Sequence, residues 1–131
     1  MKTETIKTEK VYTQHEENKE WLSKLAFYKD EVKVMEHRIE EIASKNTSKD
    51  VLGKVEQFQN RLIINKNTMD ILKHKINLSN DAIHSDINKN ETAADHRSIK
   101  DHSELRDEMK LFELHFISFK SELNLFLVKW M

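Results

Sequence analysis

Histidines and carboxylates are the side chains of this 131-residue chain that are best suited to chemistry. The stretch DHRSIKDHSELRD, residues 95–107, twice sets a histidine five residues ahead of an aspartate: His96 before Asp101, and His102 before Asp107. Imidazole nitrogens and carboxylate oxygens bind zinc and iron, and helical bundles hold such ions between side chains of facing helices. The sequence therefore raises the question of whether the fold gathers these groups.

Other kinds of catalytic site have less support in the sequence. The chain has no cysteine, which excludes disulfides, thiolate catalysis and cysteine-based zinc sites. Its one glycine, Gly53, is too few for a phosphate-binding loop, and no strained turn or oxyanion-hole glycine accompanies a serine nucleophile. We therefore favour a non-catalytic protein over an enzyme.

The charge and hydropathy of the chain indicate which partners and which cellular location to expect. The net charge of −1 comes from 22 basic and 23 acidic residues that are mixed along the chain, without the basic block typical of nucleic-acid binders. No apolar run approaches the ~18 residues that span a bilayer, and the charged start MKTETIKTEK does not resemble a secretory signal peptide. We predict a cytoplasmic protein with no membrane span and no nucleic-acid partner.

Apolar residues recur at alternating intervals of four and three along three stretches of the chain, a spacing typical of long helices that pack lengthwise. The first stretch contains Trp21, Leu25, Tyr28, Val32, Met35, Ile39 and Ile42. The second contains Val51, Val55, Phe58, Leu62, Asn65, Met69, Leu72, Ile76, Ser79 and Ile83. The third contains His102, Leu105, Met109, Phe112, Phe116, Phe119, Leu123, Phe126 and Trp130. These positions are expected to form the core.

The spacing predicts an all-α protein, an antiparallel up-down-up bundle of three long helices that has the option of assembling into a helical oligomer. The predicted helices cover about 13–45, 48–86 and 92–130, so the bundle occupies 13–131 and residues 1–12 form a flexible N-terminal arm. An alternative is that residues 79–101, which are poor in apolar groups, form a long loop instead of two helix ends.

Further apolar residues lie away from these core positions, and they allow two interpretations. One is a wide core face, since globular helices bury more than a narrow coiled-coil stripe. The other is a second interface, through which the chain self-associates or docks a helical protein partner. This second interpretation predicts a structural or interaction protein. Its interface residues are Ile64, Ile71, Leu78, Leu111, Leu114, Leu125 and Val128, and Phe27 and Val34 recur in the same way on the first helix.

A metal-binding bundle is the alternative function. Up-down-up topology gathers the start of helix one, the end of helix two and the start of helix three at one end. The candidate ligands there for zinc or iron are His102, His15, His74, Glu20 and Glu104. However, no glutamate precedes a histidine by three residues, as it does in di-iron bundles. The competing interpretation is that His102 is a structural core residue, hydrogen-bonded to Ser98, Asn18 or Ser79.

Overall fold

The computed structural model describes the backbone of residues 2–87 and 91–131 and the side chains of residues 12–82 and 102–131. It contains three helices: α1 (Lys2–Lys45), α2 (Lys49–Ile87) and α3 (Glu91–Trp130). The helices pack against one another in the up-down-up order, and the described backbone contains no strand. The predicted all-α fold is confirmed.

The helix bounds agree closely with the heptad prediction for α2 and α3, which differ from it by one residue or less at each end. Helix α1 begins at Lys2, well before the predicted start at residue 13. The side chains of residues 1–11 lie outside the described part, so the flexibility of an N-terminal arm stays a prediction. A long loop over residues 79–101 is wrong, because helical backbone covers 79–87 and 91–101.

Residues 46–48 connect α1 to α2 without a glycine. The Asn46 side-chain amide donates to the Ile42 carbonyl (2.8 Å), which satisfies one of the carbonyls left open at the end of α1. The Leu52 amide donates to the Ser48 carbonyl (3.0 Å), and Asp50 lies in the first turn of α2. An acid there is favoured by the partial positive charge of a helix N-terminus. Local side chains therefore end one helix and begin the next.

The chain divides into two compact units, and each helix contributes a segment to both. Unit 1 consists of Met1–Leu25 and Ile71–Lys110, and unit 2 of Ala26–Asp70 and Leu111–Met131. Most of the predicted core positions among the described side chains are buried, whereas Tyr28, Phe58, Asn65, Ser79 and Trp130 are half-buried. None of the helices, over the residues that are described, has the length and apolar character needed to cross a membrane.

Unit 2 has an aromatic core. The ring of Phe116 lies 5.1 Å from that of Tyr28 and 5.6 Å from that of Phe112, measured between centroids. A second group joins Phe58 of α2 to Phe126 (5.0 Å) and Phe119 (6.1 Å) of α3. Such pairs contribute ~0.5–1.5 kcal/mol each beyond the burial of their area. The aromatic rings therefore link α3 to both neighbouring helices.

Candidate functional site

The buried stripe of α1 becomes polar within unit 1. Continuing the core spacing back from Leu25 and Trp21 leads to Asn18 and then Gln14, both of which are buried. On α3 the same core row includes His102, which is 2% exposed. We call the group formed by Glu17, Asn18, His102 and Arg106 the polar centre.

Glu17 is the residue that holds the polar centre together. Its Oε1 lies 3.3 Å from Nε2 of His102, and its two carboxylate oxygens accept hydrogen bonds from Nη2 (2.6 Å) and Nε (2.9 Å) of Arg106. Bidentate bonds of this type are among the stronger hydrogen bonds in proteins. The sequence predicts Ser98, Asn18 or Ser79 as the hydrogen-bond partner of His102. Ser98 lies outside the described side chains, and the partner found is Glu17.

The charges of the polar centre are set by burial and by Glu17. The hydrogen bond from Arg106 lowers the pKa of Glu17, so its carboxyl group is ionised at neutral pH. Burial lowers the pKa of His102, against the opposing attraction of the Glu17 carboxylate. The hydrogen bond to Glu17 raises the pKa of Arg106. A neutral His102 with its proton on Nε2 donates to Glu17, an assignment that follows from the hydrogen-bond geometry.

Stacking and amide hydrogen bonds complete the polar layer. The His102 ring stacks on Trp21, with centroids 4.9 Å apart. The Asn18 amide donates to Oδ1 of Asn80 (2.8 Å) and more weakly to Oγ of Ser79 (3.4 Å). These contacts tie α1 to α3 through His102 and to α2 through Asn18.

Among the side chains of unit 1 that the structure describes, three buried atoms have no hydrogen-bond partner: Nδ1 of His102, Oδ1 of Asn18 and Oε1 of Gln14. A buried polar atom without a partner costs ~1–3 kcal/mol. We therefore expect the polar centre to lower stability while its directional hydrogen bonds specify which residues of the three helices meet.

The predicted metal ligands are not brought together. His102 is directed at Glu17, His15 and His74 are exposed, Glu20 pairs with Lys24 (3.6 Å), and Glu104 is exposed on α3. Within the described residues, no group of three or more histidines and carboxylates is arranged to hold a metal ion. Two other histidines, at positions 84 and 96, lie outside the described side chains.

The predicted interface residues share one property, which is high exposure. Each is more than half exposed, from 53% for Leu78 to 83% for Val128. A wide core face, the first interpretation of their spacing, therefore does not describe them. The set is Ile64, Ile71, Leu78, Leu111, Leu114, Leu125 and Val128.

On α3 these residues lie in one row, as two apolar pairs with Ser118 and Ser121 between them. The α3 outer stripe consists of Leu111, Leu114, Ser118, Ser121, Leu125 and Val128, all of them exposed. Their intervals of three and four keep them on one helix face. Ile117, which is not among the predicted interface residues, lies beside the stripe and is 54% exposed.

Ion pairs of unit 2 fix the direction in which the α3 outer stripe points. On one side of α3, Lys120 binds Glu31 of α1 (3.0 Å). On the other side, Glu122 accepts a hydrogen bond from Arg61 of α2. Because Ser121 lies between these two residues on the face opposite the core, the stripe points away from both neighbouring helices.

Exposed apolar residues also recur along the other two helices. On α2, Ile64, Ile71 and Leu78 recur every seven residues, and the intervening outward positions hold Asn67 and His74. On α1, Phe27 and Val34 are spaced in the same way. Ile63, which is 54% exposed, lies beside the α2 row, and the two most exposed large apolar side chains among the described residues are Leu125 (75%) and Val128 (83%) of α3.

Comparison of the chain with models of protein families, with curated proteins and with solved structures finds no match.

Proposed function

We propose that this protein is a helical interaction protein that self-associates through the exposed apolar face of α3. One observation supports the proposal most strongly: the leucines and the valine of the α3 outer stripe are 58–83% exposed. Contiguous exposed apolar patches commonly mark sites of protein–protein contact. Burial of one such side chain against a partner contributes up to ~1.5–3 kcal/mol.

A second copy of the chain is the partner that requires the fewest assumptions. It offers an apolar face of the same size, and twofold homodimers are the most common assemblies of soluble proteins. The net charge of −1 gives little long-range repulsion between copies.

Light scattering coupled to size-exclusion chromatography, over a wide range of protein concentration, tests the proposal. The wild type should have the mass of a dimer or a larger oligomer. The double variant Leu114→Ser, Leu125→Ser should weaken association more than about 100-fold, because a dimer loses four leucine contacts.

The matched control is Val34→Ser with Ile63→Ser, which removes two residues of similar exposure, 52% and 54%, from α1 and α2. This control should leave the mass unchanged. A wild type that stays monomeric at every concentration would overturn the proposal. Dissociation by the control but not by the α3 variant would exclude α3 as the interface.

A further inference from the structure

We infer that two copies pair α3 against α3 in antiparallel orientation, about a twofold axis that passes between Ser118 and Ser121. The inference rests on the proposed self-association and specifies its geometry.

The stripe has the same pattern in both directions. Its residues are Leu111, Leu114, Ser118, Ser121, Leu125 and Val128, and the intervals between them are three, four, three, four and three. A twofold axis perpendicular to α3 at the midpoint therefore sets Leu111 opposite Val128 of the second copy. It also sets Leu114 opposite Leu125 of the second copy, and Ser118 opposite Ser121 of the second copy. Self-complementarity of this kind is the requirement for a twofold interface.

The chemistry of the facing pairs fits an interface. Two apolar pairs lie at each end of the paired segment, and the small serine side chains lie at its centre. Because a hydroxyl group both donates and accepts, Ser118 and Ser121 of the two copies can bond to each other. The pairing therefore buries the four exposed apolar side chains and leaves the central hydroxyl groups with partners.

The charges beside the stripe favour the antiparallel orientation. His115 and Glu122 are seven residues apart, so they occupy the same margin of the stripe. In the antiparallel pair each His115 comes close to Glu122 of the second copy, and symmetry repeats this contact. The Glu122 carboxylate already accepts a hydrogen bond from Arg61, but its second oxygen can accept another.

A parallel pair would be opposed by like charges. The stripe continues toward the N-terminus of α3 with Asp107 and Glu104, which are exposed. Parallel pairing in register sets each of these acids opposite itself, whereas antiparallel pairing about the stated axis leaves both outside the paired segment. Like charges directly opposite each other are unfavourable at a helix interface.

Disulfide cross-linking tests the orientation, because the natural chain has no cysteine. Leu111→Cys and Val128→Cys are prepared as separate proteins, then equilibrated together and oxidised. Antiparallel pairing should give a cross-linked dimer in the mixture and none from either protein alone. In that arrangement two thiols introduced at position 111 lie about 25 Å apart, far beyond disulfide reach.

A second pair of cysteine variants tests whether the result depends on one position, and a control pair measures nonspecific cross-linking. Leu114→Cys mixed with Leu125→Cys should also cross-link, while Val34→Cys mixed with Ile63→Cys should not. Circular dichroism verifies that each variant keeps the helical content of the wild type.

Each result has one consequence. Cross-linking of Leu111→Cys with itself means a parallel pair, and this overturns the inference while self-association stands. A dimeric wild type whose two mixtures cross-link no more than the control uses another surface, which also overturns it. A monomeric wild type removes the proposed function and the inference together.

A charge substitution gives a second, independent readout of the register. His115→Glu sets two acids at the same margin and should weaken dimerisation roughly 2- to 10-fold at low salt, whereas His115→Lys should not. The difference should shrink at high salt, because salt screens exposed charges. Equal effects of the two substitutions would contradict the predicted His115–Glu122 contact.

Discussion

The two compact units use the same heptad spacing but fill it with different chemistry. In unit 2 the buried positions are apolar, and aromatic rings connect α3 to both of its neighbours. In unit 1 the same row of α1 holds Gln14 and Asn18, and α3 supplies His102. Identical spacing thus gives an apolar core in one unit and a mixed core in the other.

The apolar core of unit 2 and the mixed core of unit 1 are expected to differ in what they contribute to the stability of the bundle and to the register of its helices. Apolar contacts tolerate changes of register, because one methyl group packs against another in many arrangements. The polar centre tolerates few, because the bidentate bond from Arg106 to Glu17 and the amide bond from Asn18 to Asn80 are directional. A polar residue in a heptad core is known to fix register at some cost in stability. We therefore expect unit 2 to stabilise the bundle and unit 1 to align its helices.

The strongest test of this comparison is a cavity in the aromatic core. Phe116 is fully buried and contacts both Tyr28 and Phe112. Phe116→Ala should lower the free energy of unfolding by about 3–5 kcal/mol, measured by urea denaturation. An exposed residue away from the α3 outer stripe gives the control: Ile63 of α2 is 54% exposed, and Ile63→Ala should change the free energy of unfolding by less than ~0.5 kcal/mol. Equal losses in the two variants would mean that the aromatic core contributes little.

The corresponding substitution in unit 1 should change the free energy of unfolding in the opposite direction. Asn18→Leu removes a buried amide whose oxygen has no partner and extends the apolar row of α1. Asn80 and Ser79 are half-buried and can bond to water instead. We expect an increase of about 1–2 kcal/mol in the free energy of unfolding, by the same measurement. A loss of similar size would show that the amide hydrogen bonds stabilise the fold and would remove the contrast between the units.

The heptad spacing was sufficient to predict the fold and most of its core. Spacing is a property of each helix alone, so the buried face of α3 followed directly from its row of phenylalanines. The ends of the helices were also encoded locally, by polar residues such as Asn46 and Asp50. The start of α1 was wrong, because residues 2–12 are helical without the sustained apolar spacing on which the prediction depended.

The contacts of the candidate sites were harder to predict, because they depend on the rotation of one helix against another. His102 was correctly assigned to the core, yet Arg106 was missed. The sequence does contain a signal for the Glu17–Arg106 pair. Glu17 precedes a core position of α1, and Arg106 follows a core position of α3. Residues that flank core positions in this way meet when neighbouring helices are parallel. The metal-ligand prediction used only proximity to one end of the bundle, which does not fix side-chain direction, and His15 and His74 are exposed.

The smallest effect we predict is a dependence of the free energy of unfolding on pH, caused by His102 of unit 1. The pKa of His102 lies below the ordinary value of 6.5 in the folded state because the ring is buried, with Glu17 and Arg106 as the charged groups beside it. Below pH 6.5 the unfolded chain therefore binds more protons than the folded chain, and the free energy of unfolding decreases as the pH falls. The slope from one group cannot exceed ~1.4 kcal/mol per pH unit.

His102→Phe isolates this contribution, because phenylalanine can still stack on Trp21 but cannot titrate. We compare the free energies of unfolding of wild type and variant by urea denaturation at a series of pH values. The protein concentration is fixed, so that self-association does not differ between samples. The difference between wild type and variant should be constant well above pH 6.5, where the imidazole is neutral in both states, and should move against the wild type as the pH falls through 6.5 toward 4.5. Below 4.5 the lowered pKa of Glu17 adds its own loss, since protonation of its carboxylate weakens the bond to Arg106. If the free energies of unfolding of wild type and variant change in parallel between pH 4.5 and 6.5, the pKa of the buried imidazole does not change on folding. The polar centre would then align the helices without making the stability of unit 1 sensitive to pH.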